Sequence, residues 1–376
     1  LFVPDNPRHF KYGARHISDE GALGLIERLS EIVGILQEIG DQNEDWAQRQ
    51  AWLSSVMAEL WHSRGRYPGL PGVWDALRFS EAVPYTIHQV TAGQEQAAKD
   101  VLFAFLDGRD VSPTGLDLDA DRIKTLRKRW RYLETPQQAL LRDVLPRFDL
   151  KMNQIERIVK NPATRSLQAG PEAIAENPYI LSEQYVSDDP DDQITFSLID
   201  HGVFPSPDLG LGSDLEPDNW PRLRALCVDQ LRRASQHTFL PAGQILSGLN
   251  RRLSYLPEWK RAQFTQRHVE VEEDNLSQAL HYRTSNDVLY LYRRVVFEDE
   301  RTVERVLRQM ANLPNVELSF PVTEGFWENR LYQADSSLAQ SHPTEYEKAL
   351  KDQIKEQDQS SYDMIGVICG EAGTGK

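Results

Sequence analysis

Residues 370–376 read Gly370-Glu371-Ala372-Gly373-Thr374-Gly375-Lys376, and the apolar run Met364–Cys369 stands directly before them. The pattern G-x-x-x-x-G-K calls for a buried strand and then a tight loop whose backbone N–H groups converge on phosphate oxygens. Glycines let the backbone approach closely, and the lysine reaches the β- and γ-phosphates. Gly370, Gly373, Thr374, Gly375 and Lys376 are therefore expected to hold a nucleotide, with Lys376 as the catalytic cation. The hydroxyl that binds Mg²⁺ and the helix whose N-terminus holds the anion would follow Lys376. The expectation is a chain cut at the entrance to a P-loop ATPase domain. ATP and Mg²⁺ would be cofactors of a longer parent, with very weak ATP binding and negligible hydrolysis by this stretch alone. The other reading of these residues is a glycine-rich tail.

The 376 residues allow two to four domains, and 40% hydrophobic residues suffice for real cores. The first residue is Leu1, so a trimmed N-terminus is expected too. No apolar run is long enough to cross a membrane. A net charge of −15 argues against binding nucleic acid by bulk charge but leaves room for a local basic groove. Cys227 and Cys369 form no C-x-x-C, so a reducing cytoplasm fits best.

The spacing of apolar residues predicts a mainly α chain of several small helical domains. Residues 18–40 read as a helix capped by Ser18, and 45–62 as a second, tryptophan-rich one. Shorter helices are expected at 71–78 and 93–107, closing an accessory domain over 1–110. Residues 108–121, with Gly, Pro and several Asp, read as a linker. Helices are expected at 121–133, 136–146, 150–160 and 171–176 within a helical region 121–203. Residues 194–200 are either strand or helix. Residues 204–220 read as a second linker. Residues 221–315 form a helical, winged segment with helices at 221–235, 242–253, 258–267 and 298–313 and a strand at Val288–Tyr292. A helix over 344–355 and the strand 364–369 open the ATPase domain, residues 340–376.

Arg122, Lys124, Arg127, Lys128, Arg129 and Arg131 crowd one helix around Trp130. Lys124/Lys128 and Arg127/Arg131 are like-charge i,i+4 pairs, which repel. A polyanion would relieve that repulsion, which makes Lys124, Arg127, Lys128 and Arg131 candidate nucleic-acid contacts. Pairing with the chain's own carboxylates is the competing reading. Arg64 and Arg66 flank a glycine and could touch phosphate, although a structural turn is the better reading. Asp188, Asp189, Asp191 and Asp192 match no cation loop, and the nine histidines show no zinc spacing. No metal site is expected.

From about residue 140 the order of features resembles the N-terminal half of RecD-like superfamily-one DNA helicases. The resemblance rests on Asn177-Pro178-Tyr179-Ile180-Leu181, on His237-Thr238-Phe239-Leu240-Pro241, on the strand and helix that follow, and on the terminal loop, in that order. It implies helix-hairpin-helix elements ahead of a 5′-to-3′ motor, with single-stranded or forked DNA as partner. It also makes Gln353, seventeen residues before Gly370, a candidate adenine reader. The place of the hairpin, Leu145–Lys151, lacks the Gly-hydrophobic-Gly turn that grips phosphate, which points to a degenerate, structural hairpin. Residues 1–110 match nothing in that family and suit a protein partner. The competing reading is a protein-interaction scaffold on a P-loop ATPase, with no DNA contact.

Overall fold

A computed structural model describes residues 17–91, 93–111, 113, 115–160, 167–189, 192–213, 215–234, 237–312 and 340–360, the side chains of 90, 91, 160 and 353–360 excepted. The chain divides at Arg294 and Val295 into two units. Among the described residues the structure is mainly α-helical with one small sheet.

The first unit opens with a hairpin of α1 (Asp19–Glu38) and α2 (Trp46–Arg64). Ser18 caps α1, its Oγ accepting the Gly21 N–H at 3.2 Å, and Asp19 and Glu20 complement the helix dipole. Leu23, Ile26 and Val33 of α1 pack with Leu53, Met57 and Trp61 of α2 in an apolar cluster of their own.

Next come α3 (Leu70–Ala76), α4 (Ala82–Thr91), α5 (Glu95–Leu106), α6 (Ala120–Arg131) and α7 (Thr135–Ala139). The helix expected over 136–146 widens after α7 into a π-turn, Leu140–Val144, and ends in a 3₁₀ turn, Leu145–Arg147. Then follow α8 (Met152–Lys160), α9 (Pro171–Glu176), α10 (Ile180–Gln184) and α11 (Phe196–Val203). The ambiguous stretch 194–200 is thus helical, and Thr195 caps it by accepting the Leu198 N–H at 3.3 Å.

The remainder is α12 (Trp220–Arg233), β1 (Phe239–Pro241), α13 (Ala242–Ser254), α14 (Gln266–Val271), α15 (Glu273–Leu276), β2 (Leu280–Ser285) and β3 (Val288–Arg293). Residues 258–267, expected as one helix, instead form a 3₁₀ turn at Glu258–Lys260 and an extended stretch before α14. β3 lies between β1 and β2, antiparallel to both, with Leu291 opposite Leu240 and Tyr282. The β2–β3 turn places Asn286 and Asp287 at φ 51° and 60°, the left-handed pair of a two-residue hairpin. In chain order this region thus runs helix, strand, helices and hairpin, with its three strands in one antiparallel sheet.

One continuous core runs from Tyr67 to Leu291 and includes residues from α3 through β3. The turn 145–151 lies inside it: Leu145, Phe148 and Leu150 are buried. The Gly69 N–H donates to the Pro146 carbonyl at 3.0 Å. A Cβ on Gly69 would stand 2.1 Å from the Phe148 oxygen, so only glycine fits. Arg147 and Asp149 of this turn are half-buried and Lys151 is exposed.

The second unit contains the rest of α16 (Arg294–Ala311), followed by α17 (Pro343–Ser360). Val303, Val306 and Leu307 of α16 are exposed. No described helix is long and apolar enough to cross a membrane.

Candidate nucleic-acid interface

α6 starts at Asp119, whose carboxylate accepts the Arg122 N–H at 2.7 Å. Leu126 and Trp130 anchor its inner face. The Trp130 indole donates to Asp107 at 2.9 Å, and its ring packs 5.5 Å from that of Phe103. With this face fixed, the basic residues divide between two flanks.

One flank is spent on the protein itself. Arg122 forks onto Glu81 at 2.7 and 2.8 Å and also donates to the Arg78 carbonyl at 2.6 Å. That fork holds the Glu81 carboxyl below its ordinary range and raises Arg122. Arg129 donates to the Leu77 carbonyl at 3.2 Å.

The other flank carries the four candidates. Lys124, Arg127, Lys128 and Arg131 share one face with Ile123, and the face ends on Tyr132, which is 76% exposed. Arg127 is the exception among them. It lies over the Phe105 ring at 5.0 Å and donates to the carbonyls of Phe105 and Arg109 at 3.0 and 3.3 Å. It therefore adds a cation at the C-terminal end of α5, where the Phe105 carbonyl also accepts the Gly108 N–H at 3.1 Å. Lys124, Lys128 and Arg131 are exposed, and the Lys128 ammonium stands 5.6 Å from the Tyr132 ring centre. Three exposed cations beside an exposed aromatic ring can bind phosphate and offer a stacking surface.

Beyond β1, α14 and α15 expose Glu270, Glu273 and Asp274 beside Arg267, a surface of mixed sign.

Arg64 is structural. It is buried, pairs with Glu20 at 2.6 Å and donates to the Arg147 carbonyl at 3.0 Å. Asp192 is buried as well, held by Arg157, Tyr185 and Asn153, each at 3.1 Å. Gly370, Gly373, Thr374, Gly375 and Lys376 lie outside the described residues. Gln353 falls within α17, and its side chain also lies outside them. Among the described residues no cluster of His, Cys, Asp or Glu could hold a metal. Cys227 is buried, and burial, with Glu183 nearby, pushes its thiol up to about 12, so it is no nucleophile.

Sequence reasoning passed over a buried charge network. His201 of α11 touches Glu20 and lies 3.0 Å from Glu27, both on α1. Lys260 joins Glu27 at 2.9 Å to Asp200 at 3.2 Å. Asp200 takes the Arg222 fork at 2.8 and 3.1 Å and the Tyr179 hydroxyl at 2.7 Å. Tyr179, the tyrosine of Asn177-Pro178-Tyr179, thus serves the interior. The sequence signal was present: Glu20 and Glu27 fall seven residues apart on the face of α1 that also carries Leu23.

No protein-family profile and no solved structure matches the chain. An uncharacterized protein of Methanocaldococcus jannaschii is 23% identical over the whole chain, which spans 34% of that protein's length.

Proposed function

We propose that this chain is the non-motor, DNA-handling part of an ATP-driven helicase of RecD-like type, which holds or separates DNA for a motor that follows. The observation that carries the reading is the division of α6. Arg122, Arg127 and Arg129 are spent on carboxylate and carbonyl partners, whereas Lys124, Lys128 and Arg131 face solvent beside Tyr132. Like charges held one helical turn apart with no carboxylate between them suit a phosphate chain. The order of helices, strand and hairpin over residues 220–293 and the phosphate loop at 370–376 support the same reading. Fluorescence anisotropy with labelled single-stranded and forked DNA tests it. Binding that weakens steeply with salt is expected, and absence of binding at low salt would sink the reading.

A second reading, a protein-interaction scaffold on a P-loop ATPase, has its own observation. On α1, Leu25, Leu29 and Ile32 are exposed in an apolar row, with Ile39 exposed just past the helix and Trp52 exposed on α2. Such a row is a partner surface, and the net charge of −15 suits it. Retention of a protein partner by a chain that ignores DNA would favour this reading over the first.

A further inference from the structure

A strained residue and a π-turn meet at one cavity that the reading above leaves unused. α3 ends in a Schellman motif. The Phe79 N–H donates to the Trp74 carbonyl at 2.7 Å, the Arg78 N–H donates to that of Asp75 at 2.9 Å, and the Phe79 and Trp74 rings meet edge-on at 6.0 Å. The position between them adopts φ 58°, where glycine is normal and a side chain is strained. Here it is Arg78. Glycine would close the helix at least as well, so the guanidinium, not the cap, accounts for arginine at this place. That guanidinium reaches Glu156 of α8 at 2.8 Å and the Met152 sulfur at 3.5 Å.

The cavity beside it measures about 410 Å³, within the range of small-ligand sites. Leu77, Leu141, Ile155 and Val159 form its apolar walls, and Arg78, Arg129 and Glu156 are its charged groups. Leu141 comes from the π-turn Leu140–Val144, a rare geometry that concentrates at functional sites. Arg129 is committed to one carbonyl and keeps further donors.

We propose that this cavity binds a small amphipathic acid, its apolar body against Leu141 and Ile155 and its carboxylate between Arg78 and Arg129. Both arginines are exposed at the mouth of the cavity, where their planar forks can take a carboxylate. Glu156 is the counter-ion of Arg78 in the unliganded protein and shares it when the acid enters. An uncharged analogue gains no ion pair with either guanidinium, so it binds more weakly.

Isothermal titration with decanoate, and with decanol as the uncharged control, tests the proposal. Saturable one-to-one binding of decanoate is expected, at least tenfold tighter than decanol. Arg78→Gly keeps the helix cap and should retain the fold by circular dichroism while losing at least tenfold in affinity. Arg129→Gln, on the exposed side of α6, should weaken decanoate similarly and provides the test if Arg78→Gly does not fold. No saturable binding to the wild type, or equal binding by a folded variant, overturns the proposal. Neither result bears on DNA binding, because Lys124, Lys128 and Arg131 remain in every protein compared.

Discussion

His201 on α11 and Glu27 on α1 stand 3.0 Å apart with the imidazole wholly buried, and Glu20 touches the same ring. This contact joins the first hairpin to the rest of its unit through charge, beside the apolar packing of Leu209 and Trp259 against the α1 and α2 cluster. Burial opposes protonation of His201, but Glu27 and Glu20 outweigh it and push the imidazole above its ordinary value of 6.5. The protonated form is the one the fold stabilises. That stability is fully present below about 6.5 and is lost as pH rises through the higher folded value. Glu20 and Glu27 are held below the carboxylate range despite burial, by His201 and by Arg64 or Lys260, so their contribution is lost only in acid. Urea unfolding of the wild type should therefore show stability falling from neutral to mildly alkaline pH. His201→Gln should be less stable at pH 6 and flat over the same window. A parallel slope in both proteins would contradict the assignment.

Breaking one partner of the Asp200–Arg222 pair should be severe. Both side chains are buried, and Arg222 is forked onto Asp200 with its remaining donors on the Pro217 and Lys260 carbonyls. Arg222→Met leaves Asp200 with Lys260 and Tyr179 only. A loss of about 3–5 kcal/mol is expected in denaturant titration. A loss below about 1 kcal/mol would show that the pair is solvated.

Gly202 packs where a Cβ would stand 2.3 Å from the Phe148 ring and 2.6 Å from the Arg147 oxygen. Gly202→Ala should cost about 1–3 kcal/mol by overpacking, read as a lowered melting temperature. Gly24, with open space around it, should tolerate alanine and gain slightly in helix propensity.

Arg122 and Lys124 separate fold from binding on one helix. Arg122→Gln removes a half-buried fork onto Glu81 and should cost about 1 kcal/mol of stability with DNA affinity unchanged. Lys124→Gln should leave stability within about 0.5 kcal/mol and lower the salt slope of DNA binding by about 1. Exchange of these two outcomes would place the DNA on the opposite flank.

Helices were legible where local rules suffice. Ser18 and the apolar period of α1 are read from neighbours in sequence, and the structure keeps them. The π-turn at Leu140–Val144, the pairing of β1 with β3 and the shortened helix at 258–267 depend on distant partners, and local periodicity carries no trace of them. The same holds for the site. The four basic residues of α6 were visible as a stripe, but the commitment of Arg127 to the end of α5 comes from tertiary packing. Of the buried network only the placing of Glu20 and Glu27 on the Leu23 face of α1 is legible, because the fold alone brings Glu27, His201 and Lys260 together over long sequence separations.

The most direct measurement compares the wild type with the triple variant Lys124→Gln, Lys128→Gln, Arg131→Gln by anisotropy on labelled single-stranded DNA, at about 50 and about 200 mM salt. The wild type is expected to bind at low salt and to weaken steeply at high salt. The variant, equally stable, is expected to bind about tenfold or more weakly with a shallower salt slope. A variant that binds as the wild type does, or a wild type that does not bind at low salt, would contradict the account.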